Sequence, residues 1–214
     1  AISAENSSKM LPNIIIILAD DLGYGDVSSF NENSKIITPH LDKLASEGIQ
    51  FTDAHTSSAV CTPTRYGILT GRYNWRSRLK NGVLSGYSEA LIDNDRLTVG
   101  KLLQNKNYQT AFIGKWHLGW DWQLKSSYTN NKDKFDSGDK SPDVDFSKPV
   151  KNGPQERGFD YSYGFSGSLD MPPYVYVENG MPTFIPHDTT QCVDEKGFWR
   201  KGITGPDFRH VEVL

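Results

Sequence analysis

Three groups of residues in this sequence have the types and spacing to do chemistry. The first is Cys61-Thr62-Pro63-Thr64-Arg65. Pro63 has a fixed φ and no N–H to lose, which suits the first turn of a helix. Ile68 and Leu69 give that helix something to bury before Gly71 stops it. Cys61 then sits just before a helix N-terminus, where free N–H groups and the helix dipole favour an anion. Arg65 adds a planar cationic fork matched to a tetrahedral oxyanion. Taken alone, the stretch reads either as a nucleophile over an anion site or as a small buried thiol beside a surface charge. The second group is Asp20-Asp21, two adjacent carboxylates that repel unless a cation sits between them. They suit a hard metal ion, or a solvated loop or helix cap. The third is Lys115-Trp116-His117, in which an extended backbone aims lysine and histidine at one face. Such a pair suits binding of an oxyanion and handling of a proton, or an ordinary structural role.

The elements that must position these groups follow from apolar patterning. Leu11 to Ala19 is an apolar, β-branched run that stops abruptly at Asp20, the pattern of a strand buried on both faces of a parallel sheet. Functional groups of such sheets gather at strand carboxyl ends, which is where the aspartates fall. Thr38 to Gly48 has a cap, a proline at the first helical position, an apolar stripe at 41, 44 and 45, and a stop glycine, and predicts a short helix. Ile49 to His55 reads as the next strand. Thr98 to Asn105 repeats the helix scheme, Thr110 to Ile113 reads as a strand running into Lys115, and 161–165 as another. Strand, helix, strand order predicts an α/β fold. Residues 1–10 form a polar tail before a main body of 11–214, within which about 123–153 is a polar surface loop. Trp116, Trp120 and Trp122 suit either core packing or stacking on sugar rings.

Size and composition bound the possibilities. The chain has 214 residues, 36% hydrophobic, with formal net charge −3, enough for a domain with a real core. The slight acidity, without a basic block, argues against a nucleic-acid partner. No apolar run has the length of a membrane span. Two cysteines, Cys61 and Cys192, make no disulfide framework. His40 and His55 need no function, and His187 and His210 fall in no recognisable motif.

Cys-x-Pro-x-Arg followed by four residues and Thr-Gly resembles the signature of the type I sulfatases, members of the alkaline phosphatase superfamily. Gly114-Lys115-Trp116-His117-Leu118-Gly119 resembles a second recurring sulfatase segment. The resemblance implies a largely parallel central sheet with helices on both faces. It implies that Cys61 is oxidised by a maturation enzyme to Cα-formylglycine, whose hydrate carries two hydroxyls on one carbon. One accepts the sulfuryl group, and loss of the second's proton regenerates the aldehyde and expels sulfate. It further implies that Asp20, Asp21 and residue 61 bind calcium, with magnesium possible, and that Arg65 and Lys115 anchor sulfate while His117 assists proton transfer. By the same analogy Ser168 lies near the bound sulfate, and Asp170 and Tyr174 near the sugar. The substrate class implied is a sulfated carbohydrate.

The resemblance covers residues 11 to 214 and corresponds to the N-terminal part of a sulfatase catalytic domain. The later groups of that domain have no counterpart here, so the expectation is a piece of a longer enzyme, secreted or periplasmic. Two other readings compete: a phosphonate or phosphodiester hydrolase of the same superfamily, and a non-catalytic module that binds sulfated glycan.

Overall fold

A computed structural model describes residues 11–125, 141–190 and 200–209. The chain divides into two compact units at 54/55. In the first unit, helix α1 (Pro39–Glu47) forms where the proline and stop glycine place it. Thr38 stands at its N-cap, but its hydroxyl bonds the side chain of Asp42 (3.0 Å) and not a backbone N–H. Asp42 also accepts from the Ser28 hydroxyl (2.6 Å) and the Ser29 N–H (2.8 Å). The Ser28 hydroxyl first, then Thr38 and Ser29, hold its carboxyl below the usual range. This knot ties the loop after Tyr24–Asp26 to the start of α1.

The strand expected at 11–19 does not form: no ladder pairs it among the described residues, and Ile15 and Ile17 are more than four-fifths exposed. Nor does one form at 49–55. Apolar, β-branched composition favours a pleated backbone, but a strand exists only where a second strand accepts its hydrogen bonds. No described neighbour does so for either segment. Helix α1 likewise buries none of its own residues.

The second unit carries the core. Helix α2 spans Cys61–Thr70 and α3 Val99–Gln104, the latter capped by Thr98, whose hydroxyl accepts from the Lys101 N–H (3.2 Å). Strand β1 (Ala111–Lys115) pairs in parallel with β2 (Tyr161–Phe165), from Ala111 opposite Tyr161 to Lys115 opposite Phe165. Strand β2 pairs antiparallel with β3 (Val177–Glu178), and β3 with β4 (Met181–Pro182). The described sheet is therefore mixed, in the order β1-β2-β3-β4, with one parallel pairing at the edge the site uses. A separate ribbon joins β5 (Asp188–Thr190) to β6 (Gly202–Thr204).

Two devices set the β1–β2 register. The Asp160 carboxylate accepts from the Thr110 N–H (2.8 Å) and from Gln104 Nε2 (2.6 Å), tying the ends of α3, β1 and β2 together. Gly114 and Gly164 face each other across the ladder so closely that a Cβ on Gly164 would lie 2.0 Å from the Gly114 carbonyl oxygen. Below this edge, Trp116, Trp120 and Trp122 are all buried with Tyr66, Leu84 and Leu91. The tryptophans are core and do not form a sugar platform; Trp120 and Trp122 meet edge to face at 5.5 Å. Val144, Phe146 and Val150 join the same core, so the end of the expected surface loop folds inward. Its middle lies outside the described residues.

Candidate active site at the start of helix α2

Cys61 is the first residue of α2, one position further in than the sequence suggests, and Pro63 falls in the first turn, where no intrahelical acceptor awaits its missing N–H. Gly71 ends the helix at φ 65°, its N–H on the Gly67 carbonyl (2.8 Å). That is the left-handed stop a glycine adopts without a Cβ penalty. Thr62, Pro63, Thr64 and Tyr66 are buried and Leu69 packs on the core, whereas Ile68 stays partly exposed. Burial on that face holds the free thiol of Cys61 at the half-buried helix start.

The carboxyl ends of β1 and β2 deliver the partners. Lys115, the last residue of β1, lies with Nζ 3.2 Å from Cys61 Sγ and 3.1 Å from Ser168 Oγ, in the loop after β2. The lysine is 8% exposed, so its charge acts with little solvent screening. Arg65, one helical turn beyond Cys61, donates from Nη1 to the Lys115 carbonyl. Cys61, Arg65, Lys115 and Ser168 are thus gathered from three elements.

His117 joins them through a different backbone than alternation predicts. It holds φ 50°, left-handed for a non-glycine residue, so the segment is not extended there. The Trp116 and His117 N–H groups bond the carbonyls of Phe165 and Ser166, each at 3.0 Å, and the Thr62 hydroxyl donates to the His117 carbonyl (2.9 Å). These contacts hold a conformation that costs about 1–2 kcal/mol by itself. The ring is fully buried, with Nε2 2.7 Å from the Leu84 carbonyl and Nδ1 without a partner among the described residues. A carbonyl only accepts, so Nε2 carries the proton and Nδ1 a lone pair. Burial first, with the Lys115 and Arg65 charges adding to it, lowers the His117 pKa to about 4. At neutral pH the ring is an uncharged proton acceptor.

Tyr174, expected near the sugar, is instead fully buried, its hydroxyl on the Arg200 carbonyl (2.8 Å). Asp170 is half-buried and close enough for its charge to act on His117. Asp20 and Asp21 are exposed residues of the first unit, Asp21 at φ 59°. No group of three or more His, Cys, Asp or Glu gathers as a metal cage among the described residues. Adjacent hard carboxylates still match a divalent cation in kind, as part of a shell of six to eight oxygens. Cys192 and His210 lie outside the described residues. Sequence reasoning missed Thr62 and Leu84. A threonine inside the Cys-x-Pro-x-Arg stretch is a usable signal, whereas a backbone carbonyl leaves none.

The family model described as Sulfatase matches residues 12–196. The chain is 38% identical over 208 residues to an N-acetylgalactosamine-6-O-sulfatase of Bacteroides thetaiotaomicron, covering 96% of this chain and 36% of that protein. It is 35% identical over 168 residues to the steryl-sulfatase of Homo sapiens, covering 76% and 25%. A solved structure titled for the metabolism of multiple glycosaminoglycans by Bacteroides thetaiotaomicron superposes with TM-score 0.66 at 40% identity, covering 80% of this chain and 32% of that one. The chain therefore spans between about a quarter and about a third of the length of these relatives.

Proposed function

The chain belongs to the sulfatase family, and from that premise we propose that it supplies the nucleophile and anion-binding groups of a hydrolase that removes sulfate from a sulfated carbohydrate. The observation that carries the reading is Lys115, whose buried ammonium lies within hydrogen-bond distance of both Cys61 and Ser168. A cation held between a nucleophile position and a hydroxyl is where a sulfate oxygen is best bound and polarised. Arg65 orients that lysine through its carbonyl and contributes the second positive charge.

Cys61 is the residue a maturation enzyme would convert to Cα-formylglycine. The hydrated aldehyde supplies one hydroxyl to take up the sulfuryl group and a second that allows release without attack by external water. The paired carboxylates of Asp20 and Asp21 would take a calcium ion, or magnesium, which would supply Lewis-acid stabilisation of developing negative charge. Within the chain itself, Lys115 and Ser168 fix the anion. His117 offers its Nδ1 lone pair as the proton acceptor beside this cluster. Its lowered pKa keeps that lone pair available at neutral pH, because burial and two nearby cations oppose a further charge. With that substrate class, the proposal also places the protein in the periplasm or the secreted fraction.

The test uses natively produced protein. Mass spectrometry of the peptide containing position 61 is expected to show the aldehyde. Assays on 6-sulfated N-acetylgalactosamine, the sulfated sugar named for one relative, and on an aryl phosphonate monoester should show preference for the sulfate ester. An unmodified thiol together with no sulfate release would overturn the proposal and leave the binding-module reading.

A further inference from the structure

We propose that Thr62 is a positioning residue that selects the tautomer of His117, an inference that rests on the acid–base role just given to that histidine. The Thr62 hydroxyl closes a ring of hydrogen bonds through three residues distant in sequence. Its Oγ1 donates to the His117 carbonyl at 2.9 Å and accepts the Leu84 N–H at 3.2 Å. The Leu84 carbonyl in turn lies 2.7 Å from His117 Nε2. One hydroxyl thus fixes the backbone on both sides of the imidazole contact: the segment after β1 that bears the ring and the residue that accepts its proton.

The arrangement has directional consequences. Thr62 is fully buried, and a β-branched side chain has few χ1 choices, so its oxygen has a defined position on the first turn of α2. The hydroxyl has one proton. With that proton committed to the His117 carbonyl, its lone pair faces the Leu84 N–H, and both buried backbone groups are satisfied. Leu84 then presents its carbonyl to Nε2, which must carry the ring proton, and the lone pair is left on Nδ1. Without the hydroxyl, the Leu84 N–H and the His117 carbonyl both lose a buried partner. The Leu84 carbonyl is then free to turn from the ring, and the alternative tautomer, with its proton on Nδ1, becomes accessible. That tautomer cannot accept a proton at the atom the site requires. Thr62 is also the neighbour of Cys61, so the same residue that orders the nucleophile's helical turn orders the base.

The experiment compares wild-type protein, Thr62→Val and Thr62→Ser, all natively produced. Ring-nitrogen NMR of labelled histidine, with the His117 signal assigned by its loss in His117→Gln, reads the tautomer without reference to activity. Wild type and Thr62→Ser are expected to show the Nε2–H form. Thr62→Val, which keeps shape and loses the hydroxyl, is expected to show a mixture. Its kcat should fall on the order of 10–100-fold with KM nearly unchanged, and Thr62→Ser should retain most of the activity. An Nδ1–H form in wild type overturns the proposal, as does a Thr62→Val variant with wild-type tautomer and kcat, or a Thr62→Ser variant as impaired as Thr62→Val. If Thr62→Val does not fold, Thr62→Cys, similar in size and a far weaker donor and acceptor, replaces it with the same expected mixture and the same overturning result. Should no sulfate ester be hydrolysed while Thr62→Val shifts the ring proton, the sulfatase reading fails and the positioning by Thr62 stands.

Discussion

At the scale of single residues, the structure gives a lysine and a histidine two apart opposite electrostatic environments. Lys115 is kept as a buried cation against Cys61 and Ser168, and its charge helps to keep His117 neutral. Replacing Lys115 by alanine removes a charge-assisted contact worth about 1.5–3 kcal/mol. The variant should lose on the order of 10–100-fold in kcat/KM at unchanged fold, read by steady-state kinetics beside thermal melts. Arg65→Lys retains charge but not the planar fork that reaches the Lys115 carbonyl, so it should lose activity rather than rescue it. For His117 the proton-accepting form disappears only as pH falls through about 4. The acid limb of kcat/KM should therefore lie well below the 6.5 of an ordinary histidine, and His117→Gln should abolish that limb. The residue types were legible in the sequence. The left-handed backbone of His117 was not, because it is imposed by carbonyls of Phe165 and Ser166 at the end of a neighbouring strand.

At the scale of elements, the site is the meeting of one helix start with two parallel strand ends. Helices α1, α2 and α3 form at or within a residue of where their prolines, threonines and stop residues place them, since those signals act within one or two turns. Strands β1 and β2 also fall near their predicted positions. The expected strand at 11–19 has no such local guarantee and remains unpaired among the described residues. The β1–β2 register hangs on the glycine pair. Gly164→Ala would drive a Cβ against the Gly114 carbonyl. It should destabilise the protein by about 1–3 kcal/mol and displace Lys115 and Ser168 together. A lower melting temperature with a parallel fall in kcat is the expected result; an unshifted melt would show that the strands separate freely.

At the scale of the whole molecule, burial of His117 links stability to pH. Its pKa is about 4 in the folded protein against 6.5 for a solvated histidine, so between these values the unfolded chain binds more protons than the native one. The contribution is complete above 6.5, amounts to about 3 kcal/mol, and is lost as pH falls from 6.5 through 4. Denaturant midpoints should decline across that window in wild type and much less in His117→Gln. The carboxylates of Asp20 and Asp21 belong to the other compact unit. If they hold the proposed cation, stripping divalent ions should suppress sulfate release, and Asp20→Asn should weaken calcium binding in calorimetry.

The sequence by itself determined the chemical vocabulary: a cysteine at a helix start, a nearby arginine, a Lys-x-His segment at a strand end, and the local helix signals around them. These are read from neighbours a few residues away, where sterics and capping act. Only the tertiary structure decided that Lys115 bridges positions 61 and 168, that three tryptophans and Tyr174 are interior, and that Thr62 and Leu84 control the ring of His117. Those outcomes depend on contacts between residues about 20 to more than 50 positions apart. No local preference encodes them, since they appear only when burial and buried hydrogen bonds must be satisfied together.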